Sequence, residues 1–254
     1  MISFLYFVSI LFFLEEICFL PLTLASSFLR YEHNKVHVNT HPPFKCNTTL
    51  TAKTKEEIEF TSQVRMLMTT DEKILLYRHL QRAKTYLEFG AGGSTELACR
   101  VSNLEHFISV ESSIEFLQGL VKNSTCLQES IKHIPHYADI GPTTLHGYPQ
   151  NHNGTLLRRY SESLLLFKAF NPELILVDGR FRLACAFLSL LHLPQATIMI
   201  HDFFWRPYYY PVLDFMDLQE CTGSLIVLRK KPDISKENLE LAYHHFAETS
   251  VRRN

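Results

Sequence analysis

Acidic residues punctuate short apolar runs along this chain. Glu88 sits in Tyr86-Leu87-Glu88-Phe89, Glu111 follows His106–Val110, Asp139 follows His133–Ala138, Asp178 follows Leu174–Val177, and His201-Asp202 follows Ala196–Ile200. Carboxylates so placed accept hydrogen bonds from diols, hold cations or remove protons. Between the first two lies Gly90-Ala91-Gly92-Gly93-Ser94-Thr95, in which Gly90 and Gly92 let the backbone turn sharply and approach a ligand closely. Glu111, 21 residues beyond Gly90, is placed to accept from both hydroxyls of a ribose. A pyrophosphate would not favour a carboxylate at Glu88, whereas a sulfonium and an α-ammonium would. The loop lacks the third glycine of a dinucleotide fingerprint and the Gly-Lys-Ser/Thr of a P-loop, which disfavours NTP hydrolysis. The ligand implied is adenosyl-containing and cationic.

Asp178, His201 and Asp202 are the candidates for taking a proton from an acceptor. Asp178 and Asp202 would also suit a divalent ion, and carboxylate-rich ligation favours Mg2+ or Mn2+ over zinc. Quieter uses compete: Asp178 as cap of a helix starting near Phe181, His201 as a hydrogen-bonded strand-end residue. Phe203-Phe204-Trp205-Arg206-Pro207-Tyr208-Tyr209-Tyr210-Pro211 holds six aromatics in nine residues. That run suits either a lid over an acceptor such as a sugar ring, or packing of the last helix on the sheet. Arg180, Arg182 and Arg206 have the chemistry to clamp an anionic acceptor or to form surface ion pairs. Arg180, Trp205 and Arg206 are the substrate-side candidates. His133 and His136 fall on a strand-like stretch where their spacing turns them to opposite faces, which disfavours a metal site.

These residues need a scaffold that presents strand ends. The pattern predicts helices over Thr54–Met68, opened by a Thr54 to Glu57 capping box, and Asp71–Arg82, opened by an Asp cap. Strand Thr85–Phe89, a helix from Ser94 to Val101, strand His106–Val110 and helix Ser112–Val121 follow. A weaker strand His133–Ala138, helix Leu156–Phe170, strand Leu174–Val177, helix Phe181–Leu193 and strand Ala196–Ile200 complete the alternation. Pro211–Glu220 reads as a helix and Ser224–Leu228 as the last strand. Continuous apolar strands alternating with helices mean a doubly wound, mostly parallel sheet in three layers, an α/β architecture.

With that order in place, the chain resembles class I S-adenosylmethionine-dependent methyltransferases over residues 60–230. Glu88-Phe89-Gly90-Ala91-Gly92-Gly93-Ser94 is similar to their first motif, Glu111 to their ribose-binding acid and Asp139 to their adenine-side acid. Tyr86–Gly93, Leu174–Arg182 and Ile200-His201-Asp202 look like a bacterial-type branch of that superfamily. The resemblance implies a Rossmann-like methyltransferase fold and S-adenosyl-L-methionine bound by Glu88, Gly90, Gly92, Ser94, Glu111 and Asp139. It implies O-methylation of a glycan or small-molecule hydroxyl, and likens Asp178 and Asp202 to the strand-end acids that hold a divalent metal in some members. Members usually end in an antiparallel strand pair, of which only Ser224–Leu228 is legible here, so a short sheet edge is expected. Two alternatives stand beside this reading: a non-catalytic module of the same fold, and a nicotinamide-dependent oxidoreductase.

Length, charge and cysteines bound the rest. The 254 residues, 46% apolar and 20% charged, suit one large domain behind an N-terminal extension. Lys+Arg 25 against Asp+Glu 26 supplies no general attraction to phosphate backbones, so no nucleic-acid partner is expected. Residues 1–29 are apolar but for a few positions such as Glu15-Glu16, and read as a signal peptide or membrane anchor; residues 30–53 read as a stem; residues 54–254 form the domain. Asn47, Asn123 and Asn153 head N-x-Ser/Thr sequons, which fits the lumen of the secretory pathway. An intracellular, cytoplasmic protein with a hydrophobic N-terminal helix is the alternative. Cys99 and Cys185 are expected as buried thiols, while Cys46, Cys126 and Cys221 are free to pair in an oxidising lumen.

Overall fold

A computed structural model describes Cys46, Leu50, residues 52–150 and residues 153–249. The readings on residues 1–29, on Asn47 and on most of the stem lie outside these residues. Strands β1 (Thr85–Phe89), β2 (His106–Glu111), β3 (His133–Tyr137), β4 (Leu174–Val177), β5 (Thr197–Ile200), β6 (Met216–Thr222) and β7 (Leu225–Lys230) form a single sheet. Its order is β3-β2-β1-β4-β5-β7-β6, parallel from β3 to β5 and antiparallel at β7 and β6. Every residue of β1, β4 and β5 is buried, as continuous apolar strands require. Order reverses between β1 and β4, so the carboxyl ends of these strands border the crevice where a doubly wound sheet binds ligands.

Helices α1 (Lys55–Ser62), α2 (Thr70–Leu80), α3 (Gly93–Arg100), α4 (Ile114–Lys122), α5 (Thr125–Glu129), α6 (Gly154–Phe167), α7 (Arg182–His192) and α8 (Lys236–Thr249) surround it. Leu75, Leu76 and Leu80 of α2, Leu97 of α3 and Leu127 of α5 pack with Tyr86, Phe107, Leu174, Met199 and Val227 on one face. Tyr160 of α6 meets Phe89 from the other face. Helix α7 is apolar nearly all round and buried from Arg182 to Leu190, so it needs a cover. That cover is α8, whose Phe246 stacks on Phe187 with ring centroids 5.2 Å apart.

Several expectations are corrected. Helix α1 stops at Ser62 instead of Met68, and the freed segment passes over the glycine loop: a Cβ on Gly93 would collide with Arg65 O and come within 2.8 Å of Met66 Cβ. The cap of α2 is Thr69, with Glu72 completing its capping box, not Asp71. Pro211–Glu220 is no α-helix: Pro207–Asp214 forms 3-10 turns and β6 follows. The sheet edge is therefore a full antiparallel pair, turned at Gly223 with φ +55°. Cys99 is not a free thiol: it bonds Cys126, and Cys46 bonds Cys221, while Cys185 is buried and free as expected. The end of the expected stem is also tied down, since Lys53 Nζ lies 2.6 Å from Asp71 and Arg78 donates to Ala52 O.

Candidate active site

Two glycines fix how the loops after β1 and β4 meet. Gly90 has φ +100°, and a Cβ there would lie 2.7 Å from the Gly179 nitrogen; one on Gly179 would collide with Tyr160 Oη. The two turns are pressed back to back, with Gly90 N donating to Val110 O and Asp178 N to Phe89 O. Gly92 is the opposite case: a Cβ there meets nothing within 4 Å, so its outer side is open for a ligand.

Glu88 does not face that opening. It is fully buried, and its carboxylate accepts from Tyr86 Oη at 2.9 Å, Ser94 Oγ at 2.5 Å and Thr95 Oγ1. Burial outweighs these bonds and pushes its pKa up to about 7. Glu88 and Ser94 thus brace the turn from inside, the carboxylate being bonded to three hydroxyls. Glu111 behaves differently. Its Oε1 accepts from Ser112 N at 2.7 Å and Ser113 N at 2.9 Å, leaving the other oxygen without a partner among the described residues. Asp139, on the exposed flank, accepts from Gly141 N at 2.9 Å. The segment after it folds back, so that a Cβ on Gly147 would come within 2.7 Å of Ser112 Oγ. Tyr148 in that segment lies under the Arg180 guanidinium, 4.0 Å from ring centre to Cζ.

Asp178, His201 and Asp202 come together as expected, each offering one donor atom within 4.8 Å of the others. His201 Nδ1 lies 3.0 Å from Asp178 Oδ1 and 3.8 Å from Asp202 Oδ1. Its other nitrogen faces Glu72 Oε1 at 3.8 Å. Burial alone would lower the His201 pKa, but its bonds to Asp178 and Glu72 and the charges of Asp178 and Asp202 raise it to about 9. His201 therefore keeps its proton at neutral pH, and the expectation of a His201 base gives way to an imidazolium held between carboxylates. Glu72 resists burial in the same way: the His201 ring 3.8 Å away and bonds from the amides of Ser224 and Thr69 hold its pKa at about 2. Glu72 carries no signal in the sequence: with Asp71 read as the cap, it is an ordinary acid in the first turn of a helix.

Asp178 caps nothing; it pairs with Arg182 four residues on. Arg182 is buried and Arg206 is bonded to Asp202 Oδ2 at 2.9 Å, so neither is a free clamp for an anion. Asp202 has φ +57° and Phe181 φ +51°, unusual values for side-chain-bearing residues, and both stand at the crevice. The aromatic run divides between its two expected uses. Phe203 and Tyr209 are buried, whereas Trp205 is 81% exposed and Tyr208 is exposed as well. His133 and His136 bond different partners, Ser109 and Ser163, and form no shared site.

No family model and no curated protein matches the chain. Among solved structures, a methyltransferase-like protein from Silicibacter pomeroyi is similar at 24% identity and TM-score 0.65, covering 73% of this chain and 97% of its own. More distant likenesses are an O-methyltransferase from Bacillus cereus in complex with S-adenosylhomocysteine (14% identity, 71% and 94% covered, TM-score 0.45) and a methyltransferase from Podospora anserina bound to the same molecule (14%, 69% and 86%, TM-score 0.44). The first likeness shows the fold, a Rossmann-like methyltransferase sheet; the other two carry no further weight.

Proposed function

We propose that the chain is an S-adenosylmethionine-dependent methyltransferase acting on a hydroxyl of a glycan or small molecule. The observation that carries this reading is Glu111. Two backbone amides pin one of its oxygens and leave the other free for a ribose diol, one strand away from the open side of Gly92. Asp139, exposed just after β3, is taken as the adenine-side acid. The residues present thus fit the cofactor, which when bound supplies an electrophilic methyl group on a sulfonium.

What the chain adds is positioning and a proton acceptor. As the acceptor oxygen attacks in line, its proton passes to Asp178, whose Oδ1 is held by His201 and Arg182 while its second oxygen has no partner among the described residues. Trp205, which is exposed, and Arg180, stacked on Tyr148, are taken as the residues that hold the acceptor. The pairing Cys46–Cys221 and Cys99–Cys126, with exposed Asn123 and Asn153, supports residence in the secretory lumen, anchored or secreted. A second reading, a non-catalytic binding module, draws on a specific feature: both nitrogens of His201 and both acids beside it are engaged within the protein.

Calorimetric titration of S-adenosylmethionine and S-adenosylhomocysteine into the full chain tests the cofactor, with NAD as control. Micromolar binding is expected, weakened at least about tenfold by Glu111→Ala, the loss of a hydrogen bond to a charged group. Absence of binding by folded protein overturns the enzyme reading.

A further inference from the structure

We infer that Arg182 is the resident cation of the acid cluster and takes the place a divalent metal would occupy. Asp178, His201 Nδ1 and Asp202 have the donor types of a Mg2+ or Mn2+ site, but the space between the two acids is filled. Arg182 Nη2 lies 3.0 Å from Asp178 Oδ1 and 3.3 Å from Asp202 Oδ2, and Arg182 is 3% exposed. The guanidinium is fixed by main chain as well: Nε donates to Gly179 O at 3.1 Å, Nη2 to Asp178 O at 3.1 Å, and Nη1 to His201 O. It therefore ties the ends of β4 and β5 together from the first turn of α7.

Three arguments set this guanidinium against a metal. The first is charge. Asp178 and Asp202 are balanced by Arg182 and by Arg206, whose Nη2 reaches Asp202 Oδ2 at 2.9 Å, so an added divalent ion would leave two uncompensated positive charges. Second, a guanidinium cannot make way by losing a proton, as a lysine or histidine can. It could leave only by abandoning three carbonyl oxygens in a buried setting, each costly to strand. Third, the Asp178 oxygen turned toward Asp202 and His201 is already taken, since Oδ1 receives both His201 Nδ1 and Arg182.

The consequence is one of specificity. A metal at this position would orient acceptors able to chelate it through two oxygens. Arg182, its donors turned into the protein, makes no such demand, and one hydroxyl suffices. Arg182 is a positioning residue: it holds the carboxylates of Asp178 and Asp202 in fixed orientation. The inference concerns these side chains alone, so it stands or falls separately from the cofactor titration above.

Manganese binding to the full chain, followed by loss of the free Mn2+ resonance signal, tests it. Wild-type protein is expected to take up no Mn2+ up to about 1 mM. Arg182→Met, which keeps the stem and removes the charge, is expected to gain a site at least about tenfold tighter, and adding Asp178→Asn should abolish that gain. Micromolar uptake by wild type that Asp178→Asn removes would overturn the inference, as would a folded Arg182→Met that gains nothing. If Arg182→Met does not fold, the wild-type titration decides alone, in the same two directions.

Discussion

His201 and Glu88 are both buried, and both titrate far from their ordinary ranges, with consequences for stability that can be worked out in sign. For His201 the pKa rises from 6.5 to about 9 on folding, so its stabilisation is complete below 6.5 and is lost as pH climbs through 9. For Glu88 the rise is from 4.5 to about 7, so the fold favours its protonated form and loses stability across that lower window. Each step amounts to about 3 kcal/mol. His133, lowered to about 4 by burial, gains stability over pH 4 to 6.5 and opposes the Glu88 loss, so the two stages are read by difference: relative to wild type, melting curves of Glu88→Gln should lack the loss between pH 4.5 and 7, and those of His201→Gln the loss between pH 6.5 and 9. Variants whose pH profiles run parallel to the wild type would refute the assignment. At this scale the sequence was informative about position and silent about direction. The strand-end positions of Glu111 and Glu88 are legible because acids beside a glycine turn stand out. The direction of the Glu88 carboxylate is not, because it depends on the hydroxyls of Ser94 and Thr95 folding back onto it. The Glu72 contact with His201 joins α2 to β5, a pairing that only the tertiary fold creates.

The elements that carry the site are held by close backbone approach as much as by side chains. Gly90 and Gly92, two residues apart, should therefore respond oppositely to the same change. At Gly90 an alanine faces both φ +100° and a 2.7 Å contact with Gly179 N, so Gly90→Ala should cost about 2 kcal/mol and disturb both turns. At Gly92 the backbone φ is 167°, extended geometry open to any residue, and the new methyl group meets nothing. Gly92→Ala should melt within about 1 kcal/mol of wild type yet bind S-adenosylhomocysteine at least about tenfold more weakly, because the methyl occupies the ligand's space. Chemical denaturation and calorimetry on the two variants check this, and equal affinity in Gly92→Ala would remove the loop from the cofactor site. Helices and central strands were legible because their periodicity is strong. Strand β6 was not: it is an edge strand with polar, exposed positions, and a bulge between Leu218 and Glu220 breaks its alternation. The short α1 went astray because Val64 and Met68 kept a helical spacing after the helix had ended.

At the scale of the whole molecule, two disulfides change what the domain is. Cys99–Cys126 ties α3, which follows the glycine turn, to α5, and Cys46–Cys221 ties the segment ahead of α1 to the sheet edge at β6. The cysteine count alone left three partners open for any bridge, and Cys99 looked like a core residue because α3 does face the sheet. The second bridge spans 175 residues and the first 27, so the chain-entropy model assigns the longer one about 1.5 kcal/mol more stabilisation of the fold. Cys221→Ser should accordingly lower the melting temperature more than Cys126→Ser, and a reducing agent should lower that of the wild type by at least as much as either. Among the described residues no helix is long and apolar enough to cross a membrane. If both bridges form in the cell, free-thiol labelling of denatured, non-reduced protein should modify Cys185 and none of the other four cysteines outside the N-terminal segment except after reduction; labelling of Cys46, Cys99, Cys126 and Cys221 without reduction would place the chain in a reducing compartment and remove the lumenal part of the proposal.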